Sequence, residues 1–321
     1  MTTSGVYTYS PTFNEAASEV FDILQIGADG ETLSGDMISR FGKSANLVLK
    51  EWETSAPHLW AQTEGTLFLT VGQVKYDLRD STTHVANTWY ETTTTAATVA
   101  GANSILVSDI SDIQVNDVIG VVQSNNDIFW TTVSYSPSGS TVQLSDAITL
   151  ATTSGSYVRN YRVATSTSPD LKPVSRITNF RRKDTSGYEI PIRGWSRTEY
   201  FNQPNKTSSG TPIAAYYDRQ DVSGQEGGVI YVWTAPDSSN SVINFTYDRK
   251  AQIYVNGTET IDLPDWALQA FYYEVATKLI PKYGTSVELA TWVLNQAVRL
   301  KDDMLNFDST LTPIRVRMRR G

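Results

Sequence analysis

Apolar positions recur along the chain with two different periods. Near the N-terminus the period is helical. Thr12 and Glu15 have capping-box spacing, and Phe13, Ala16, Val20 and Leu24 then fall on one face, which predicts a first helix starting near Thr12. Gly27-Ala28-Asp29-Gly30 reads as the turn that ends it. Met37, Phe41, Ala45, Val48 and Trp52 make a second stripe and predict a helix over 33–53, closed by Pro57. The C-terminal third repeats the pattern. Leu263-Pro264-Asp265-Trp266 predicts a helix start with the proline early in the first turn. Leu268, Phe271, Val275 and Leu279 line one face, and Pro281 and Gly284 are expected to stop the helix. A fourth helix follows Thr285-Ser286, with Leu289, Val293, Ala297, Leu300, Met304 and Phe307 on its stripe.

Between these ends the period is two. Strands are expected at Leu67–Val71, Val74–Leu78, Arg176–Phe180, Glu189–Ile192, Ala214–Asp218, Val229–Thr234 and Ser241–Asp248. Pro236-Asp237-Ser238-Ser239-Asn240 reads by composition as a hairpin loop between the last two. The 81 residues from Thr88 to Ser168 stand apart, with 27 Ser or Thr and eight charges, none of them Lys. Short β-like segments at Ser104–Val107, Val118–Val122, Phe129–Val133 and Thr141–Leu144 favour a small folded β module inserted into a loop; a low-complexity linker is the competing reading.

The expected fold class is therefore α+β: a helical bundle built from N- and C-terminal helices plus a central β domain with an inserted small β module. In numbers, 1–60 and 261–310 supply the bundle, 61–87 and 169–260 the β domain, 88–168 the module and 311–321 a basic tail.

Composition narrows the chemistry. The 321 residues carry 26 Lys+Arg against 34 Asp+Glu, a net charge of -8, with no Cys and two His. No run of about 18 apolar residues occurs, so no membrane partner is expected, and Met1–Pro11 lacks a basic-then-apolar signal pattern. The missing Cys excludes disulfides and thiol nucleophiles; His58 and His84 are too few for a His-rich metal site. His58, between Pro57 and Leu59-Trp60, reads as a packing or capping residue, and His84, in a Ser/Thr-rich turn, as solvent-exposed. There is no Gly-x-Ser-x-Gly, and Asn205-Lys206-Thr207-Ser208-Ser209-Gly210 lacks the glycine spacing of a phosphate loop. Asp29-Gly30-Glu31 lacks the alternating oxygens of a calcium loop. Neither a catalytic residue nor a cofactor or metal is expected, and the chain is not read as an enzyme. The 8 Trp, 17 Tyr and 10 Phe suit β cores and subunit interfaces, with glycan or nucleic-acid stacking as the alternative use.

Charge is unevenly placed. Residues 311–321 hold Arg315, Arg317, Arg319 and Arg320 and no acid, leaving 22 Lys+Arg against 34 Asp+Glu, or -12, for the rest. Ile314, Arg315, Val316, Arg317, Met318 and Arg319 alternate apolar and basic. As an extended strand they would present arginines on one side and apolar groups on the other, suiting a peptide clamped by a partner. A disordered tail or a DNA contact are the alternatives.

Four stretches together carry a resemblance. They are Asp262-Leu263-Pro264-Asp265-Trp266-Ala267-Leu268, running on to Lys282-Tyr283-Gly284; Gly35-Asp36-Met37 through Leu47-Val48-Leu49-Lys50-Glu51-Trp52 with Leu59-Trp60; Tyr200-Phe201-Asn202, Lys206, Gly210-Thr211-Pro212 and Tyr216-Tyr217-Asp218-Arg219-Gln220; and Val232-Trp233-Thr234-Ala235-Pro236. With these, the chain outside 88–168 resembles the head-to-tail adaptor (head completion, or tail accessory) family of short-tailed bacteriophages, the podoviruses. The resemblance implies a structural virion protein at the head–tail interface, assembled in the host bacterial cytoplasm. It implies a homo-oligomeric ring, usually a dodecamer, beneath the portal protein, which helps retain packaged DNA, forms part of the DNA ejection channel and attaches the tail nozzle or tail knob proteins. Portal binding would fall to the tail residues Ile314, Arg315, Val316, Arg317, Met318, Arg319 and Arg320. An acidic subunit suits a channel that lets genomic dsDNA pass without tight binding, because neutralised phosphates add affinity. The alternative functions are a cell-wall glycan hydrolase and a carbohydrate-binding tail module.

Overall fold

The computed structural model describes residues 8–27, 32–55, 59–163, 171–219 and 227–308. Along the chain, α1 (Phe13–Ile23) and α2 (Gly35–Ser55) come first. Strands β1 (Gln62–Phe68), β2 (Lys75–Asp77), β3 (Val85–Ala86), β4 (Tyr90–Thr93), β5 (Ser104–Leu106), β6 (Val118–Val122), β7 (Ile128–Thr132), β8 (Thr141–Gln143) and β9 (Tyr157–Tyr161) follow. Next are β10 (Val174–Lys183), β11 (Glu189–Gly194), a short helix α3 (Arg197–Phe201), β12 (Ser209–Gly210), β13 (Ala214–Asp218), β14 (Val229–Trp233), β15 (Ala235–Pro236) and β16 (Val242–Arg249). Helices α4 (Asp265–Tyr283) and α5 (Val287–Phe307) close the described chain. The protein is mixed α+β, as the two periods indicate.

The chain divides into two compact units, 1–61 with 251–321 and 62–250. In the first, one core is shared by helices from both chain ends: Phe13, Val20 and Phe21 of α1, Phe41, Val48 and Trp52 of α2, Phe271, Val275 and Leu279 of α4, and Val293 and Met304 of α5. Helices α1 and α5 begin where their capping side chains are. The Thr12 hydroxyl accepts from the Glu15 N–H at 3.3 Å while the Glu15 carboxylate accepts from the Thr12 N–H at 2.7 Å. Ser286 caps α5 by accepting from the Leu289 N–H at 3.3 Å.

Two sequence expectations for α4 are corrected. Pro264 is the N-cap rather than a first-turn residue, because its φ of -66° and ψ of 151° are extended. Pro281 does not stop the helix. It removes one N–H from the last turn, while fully buried Leu279 holds that turn in place. The end comes at Gly284, in the left-handed region at φ 66°, whose N–H donates to the Ile280 carbonyl at 3.1 Å.

In the second unit, eight strands form a sheet of order β2-β14-β13-β11-β10-β16-β1-β3, antiparallel except where β11 meets β13. Its inner face buries Leu67, Tyr76, Val85, Ile230, Val232, Ile243, Phe245 and Tyr247. Opposite Phe245 the chain has Gly65; a Cβ there would come within 2.7 Å of the Phe245 ring. Leu69–Val71 lie past the end of β1, since the ladder with β16 ends at Phe68 opposite Val242.

The expected hairpin over 236–240 is absent. Strand β14 pairs with β13 and β2, and β16 pairs with β10 and β1. The connection instead carries β15 beside β12 and buries Ser239. Ser239 and Asn240 make hydrogen bonds inside the unit, while Asp237 faces solvent.

Residues 90–161 form a four-stranded antiparallel sheet, β4-β9-β6-β7, and a two-stranded one, β5-β8. Ile105, Val107, Ile119, Val121, Val142, Leu144, Ile148 and Val158 make a core between them. A second cluster joins this segment to the eight-stranded sheet: Phe68, Ala86, Tyr161 and Val242, with Trp89, Val118 and Trp130 packed against it. Gly120 sits opposite Trp130, where a Cβ would lie 2.7 Å from the indole.

Candidate interaction surface

The residue pairs of the β13–β14 ladder fix which side chains share a face. Ala214, Tyr216 and Asp218 stand opposite Trp233, Tyr231 and Val229, while the intervening Ala215, Ile230 and Val232 go to the inner core. The outer face is therefore aromatic, and α3 lies on it. That helix exists because Ser196 and Glu199 form a capping box: the hydroxyl accepts from the Glu199 N–H at 3.3 Å and the carboxylate from the Ser196 N–H at 2.8 Å.

Tyr200 of α3 packs 4.7 Å from Tyr231 and 5.8 Å from Tyr216 between ring centroids, and the latter two stack at 5.8 Å and 14°. Phe201, half exposed, meets Tyr200 edge-on at 5.4 Å. Trp195 and Trp233 lie 5.2 Å apart, and the Trp233 indole N–H donates to the Asn205 carbonyl at 3.0 Å. Burial pushes the Tyr200 and Tyr216 hydroxyls above the usual tyrosine range, so both are neutral donors at neutral pH.

Cations rim the aromatics. The Arg197 guanidinium lies 5.3 Å from the Phe201 ring and 3.8 Å from the Asp218 carboxylate. The Lys206 ammonium is 5.7 Å from Tyr200 and 5.9 Å from Phe201, and it donates to the carbonyls of Phe201 and Gln203 at 3.1 Å each. Lys206 thus caps the C-terminal carbonyls of α3, which accounts for its place in the sequence without a phosphate loop. Arg193 pairs with Glu199 at 2.7 Å. Tyr200 and Tyr216 are themselves buried in this cluster; what faces outward is half-exposed Phe201 with partly buried Trp195, Tyr231 and Trp233, an aromatic patch rimmed by cations.

The residues assigned to portal binding, Ile314, Arg315, Val316, Arg317, Met318, Arg319 and Arg320, lie outside the described residues, as does His58. His84 is described, and its expected exposure is wrong. Its ring stacks on Trp130 at 4.0 Å and 13°, and its Nδ1 is 2.8 Å from the Tyr161 hydroxyl. Burial lowers its pKa to about 4. The Ser/Thr-rich surroundings of His84 pointed to solvent; Trp130, 46 positions further on, covers it instead.

A buried charge went unnoticed in the sequence. Arg159 of β9 is fully buried; its Nε donates to Glu91 at 2.9 Å, and its two terminal nitrogens to the carbonyls of Ser239 and Asn240. The Ser239 N–H in turn donates to the Asn126 carbonyl at 2.8 Å, and its hydroxyl to Asp127 at 3.0 Å. Among the described residues no group of three or more His, Asp or Glu is placed to hold a metal ion, and no helix is long and apolar enough to cross a membrane.

No family model and no curated protein matches the chain. Among solved structures it is similar to the Gp54 tailspike of Acinetobacter baumannii bacteriophage AP22 in complex with A. baumannii capsular saccharide. That similarity has a TM-score of 0.21 and 18% identity, over 23% of this chain and 14% of the tailspike.

Proposed function

We propose that the chain is a structural virion subunit of a short-tailed bacteriophage, a head-to-tail adaptor that assembles as a ring under the portal and receives the tail on its other side. Its N- and C-terminal helices make the bundle, and 88–168 is a β module inserted in the β domain. The observation that carries the reading is that the residues behind the sequence resemblance cluster in space. Tyr200, Phe201, Lys206, Tyr216 and Trp233, spread over 34 positions, come together as one aromatic face. Large aromatic faces of this kind are enriched at protein interfaces. In this reading the face is a docking surface for a tail protein, and the arginine-bearing 311–321 segment reaches the portal.

The decisive experiment mixes the protein with purified cognate portal rings and images the result by negative-stain microscopy, where an added ring density is expected. A chain truncated after Thr312 is expected to lose portal binding while keeping its circular dichroism spectrum. Unchanged affinity in the truncated chain overturns the portal role of the tail.

The partly exposed Trp195, Tyr231 and Trp233 favour a second reading, a carbohydrate-binding tail module, since sugars stack on Tyr and Trp faces. Glycan-array binding that disappears in Trp233→Ala, with no portal binding by the intact chain, selects it over the adaptor.

A further inference from the structure

Aromatic pairs bridge the antiparallel helices α4 and α5 at two levels along one side. Trp266, in the first turn of α4, lies 5.0 Å from Phe307 at the end of α5, and Tyr273 meets Trp292 edge-on at 5.8 Å. Trp266 and Tyr273 are two turns apart and share a face of α4. On α5, Trp292, Gln296, Asp303 and Phe307 fall within about 60° of one another. Trp266 and Tyr273 rest on the core, yet Phe307 is 70% exposed and Trp292 48%. The two pairs therefore mark an apolar strip about 22 Å long, from Trp292 to Phe307, whose α5 rings stand in solvent.

The surroundings of the strip are acidic. Asp265 adjoins Trp266, Asp303 is one turn before Phe307, and Glu288 is one turn before Trp292, with Asp302 further round α5. One cation lies on this side, Arg299, which donates to Gln296 at 2.7 Å. The other cations of the two helices, Lys278, Lys282 and Lys301, are held by Glu51, the Ser44 hydroxyl and Glu274. Helix α1 and residues 251–264, which pack on the same core, carry Glu15, Glu19, Asp22, Glu259 and Asp262 and no Lys or Arg. The strip thus suits an occupant that is apolar on one side and basic on the other.

Such an occupant is attached to it. The chain leaves α5 directly beyond Phe307, and residues 309–321 carry Arg315, Arg317, Arg319 and Arg320, no acid, and Ile314, Val316 and Met318 at alternate positions. Those 13 residues reach about 43 Å when extended, enough to reverse and run back along the strip. A short tether sets an effective concentration in the mM range. A contact too weak to hold a free peptide is then still filled, and any other ligand of the strip competes with the attached one.

We propose that this α4–α5 strip is the resting seat of residues 311–321 of the same chain, with Ile314, Val316 and Met318 against the rings and the long arginines reaching the flanking Asp303 and Glu288. A partner that takes the segment has to displace it from its seat first. That the displacing partner is the portal rests on the adaptor reading above; the seat itself does not.

The chain has no cysteine, so thiols can be placed in pairs. Gln296→Cys with Val316→Cys puts one on the strip and one on the segment; Val298→Cys with Val316→Cys moves the helix thiol about 160° round α5. Oxidised in dilute solution, the first pair is expected to close within the chain about tenfold faster than the second. Equal rates overturn the seat, and a disulfide formed only between chains gives the strip to another copy and overturns it too. Trypsin supplies an arm without cross-links. Mass spectrometry should show the full chain trimmed after Arg315 and Arg317 several-fold faster in Trp292→Ala and Phe307→Ala, whose rings are exposed; unchanged trimming overturns the aromatic contact. With portal rings, the first pair is expected to bind when reduced and not when oxidised. Binding in both states overturns the displacement step. Binding in neither state, nor by the wild-type chain, overturns the adaptor reading, while the cross-linking rates still decide the seat.

Discussion

His84 is neutral in the folded protein because leaving water costs the imidazolium more than the imidazole. Its folded pKa of about 4 lies below the ordinary 6.5. The unfolded chain therefore binds the proton first as the medium is acidified. Stability from this group is complete above pH 6.5 and is lost as pH falls towards 4. The displacement from 6.5 to about 4 corresponds to about 3 kcal/mol. Urea midpoints measured from pH 7 to pH 4 should fall accordingly, and His84→Phe, which keeps the stack, should flatten that dependence. Arg159 is a second such case. Its partners are a carboxylate and two carbonyls; Arg159→Met leaves Glu91 only Lys183 at 3.7 Å and leaves the buried carbonyls of Ser239 and Asn240 without their donor. Chemical denaturation should show a loss of about 3 kcal/mol. A variant as stable as wild type would mean that water replaces the guanidinium there.

Elements whose instructions are local were legible. The Thr12–Glu15 pair starts α1 where it was expected, and the alternation over Ala214–Asp218 and Val118–Val122 matches β13 and β6 residue for residue. The Ser196–Glu199 box was equally present in the sequence and was missed, because α3 is five residues long and carries no apolar stripe. Pairing was not legible: nothing local in 234–241 says that β14 and β16 join different neighbours, since that choice is made by the core residues of β1, β10 and β13. The aromatic face was hidden for a related reason. Tyr216 and Tyr231 become neighbours through strand register, which a pattern of period two does not specify. Two element-scale substitutions check this account. Ser286→Ala removes the α5 cap and should cost about 1 kcal/mol in thermal unfolding. Gly120→Val drives a branched side chain into Trp130 and should cost about 2 kcal/mol, with a change in tryptophan fluorescence that Ser286→Ala does not produce.

At the scale of the molecule, a net charge of -8 and a basic segment confined to 311–321 predict weak, strongly salt-dependent attraction for duplex DNA, carried by that segment alone. Fluorescence anisotropy with a short duplex at about 50 mM salt should show binding by the full chain and none by the chain truncated after Thr312. Equal binding by both would place a DNA-holding surface elsewhere.

The first unit draws its core from both ends of the chain, with some 190 residues of β structure between α2 and the loop that leads into α4. On the ribosome, Phe41 and Trp52 are made long before Phe271 and Leu279 exist to cover them. Residues 62–250 have all their own partners and can finish earlier. The helical core thus closes last, after translation has passed α5. A chain interrupted before α4 leaves Phe41, Val48 and Trp52 without the residues that bury them, and so stays open to aggregation and proteolysis.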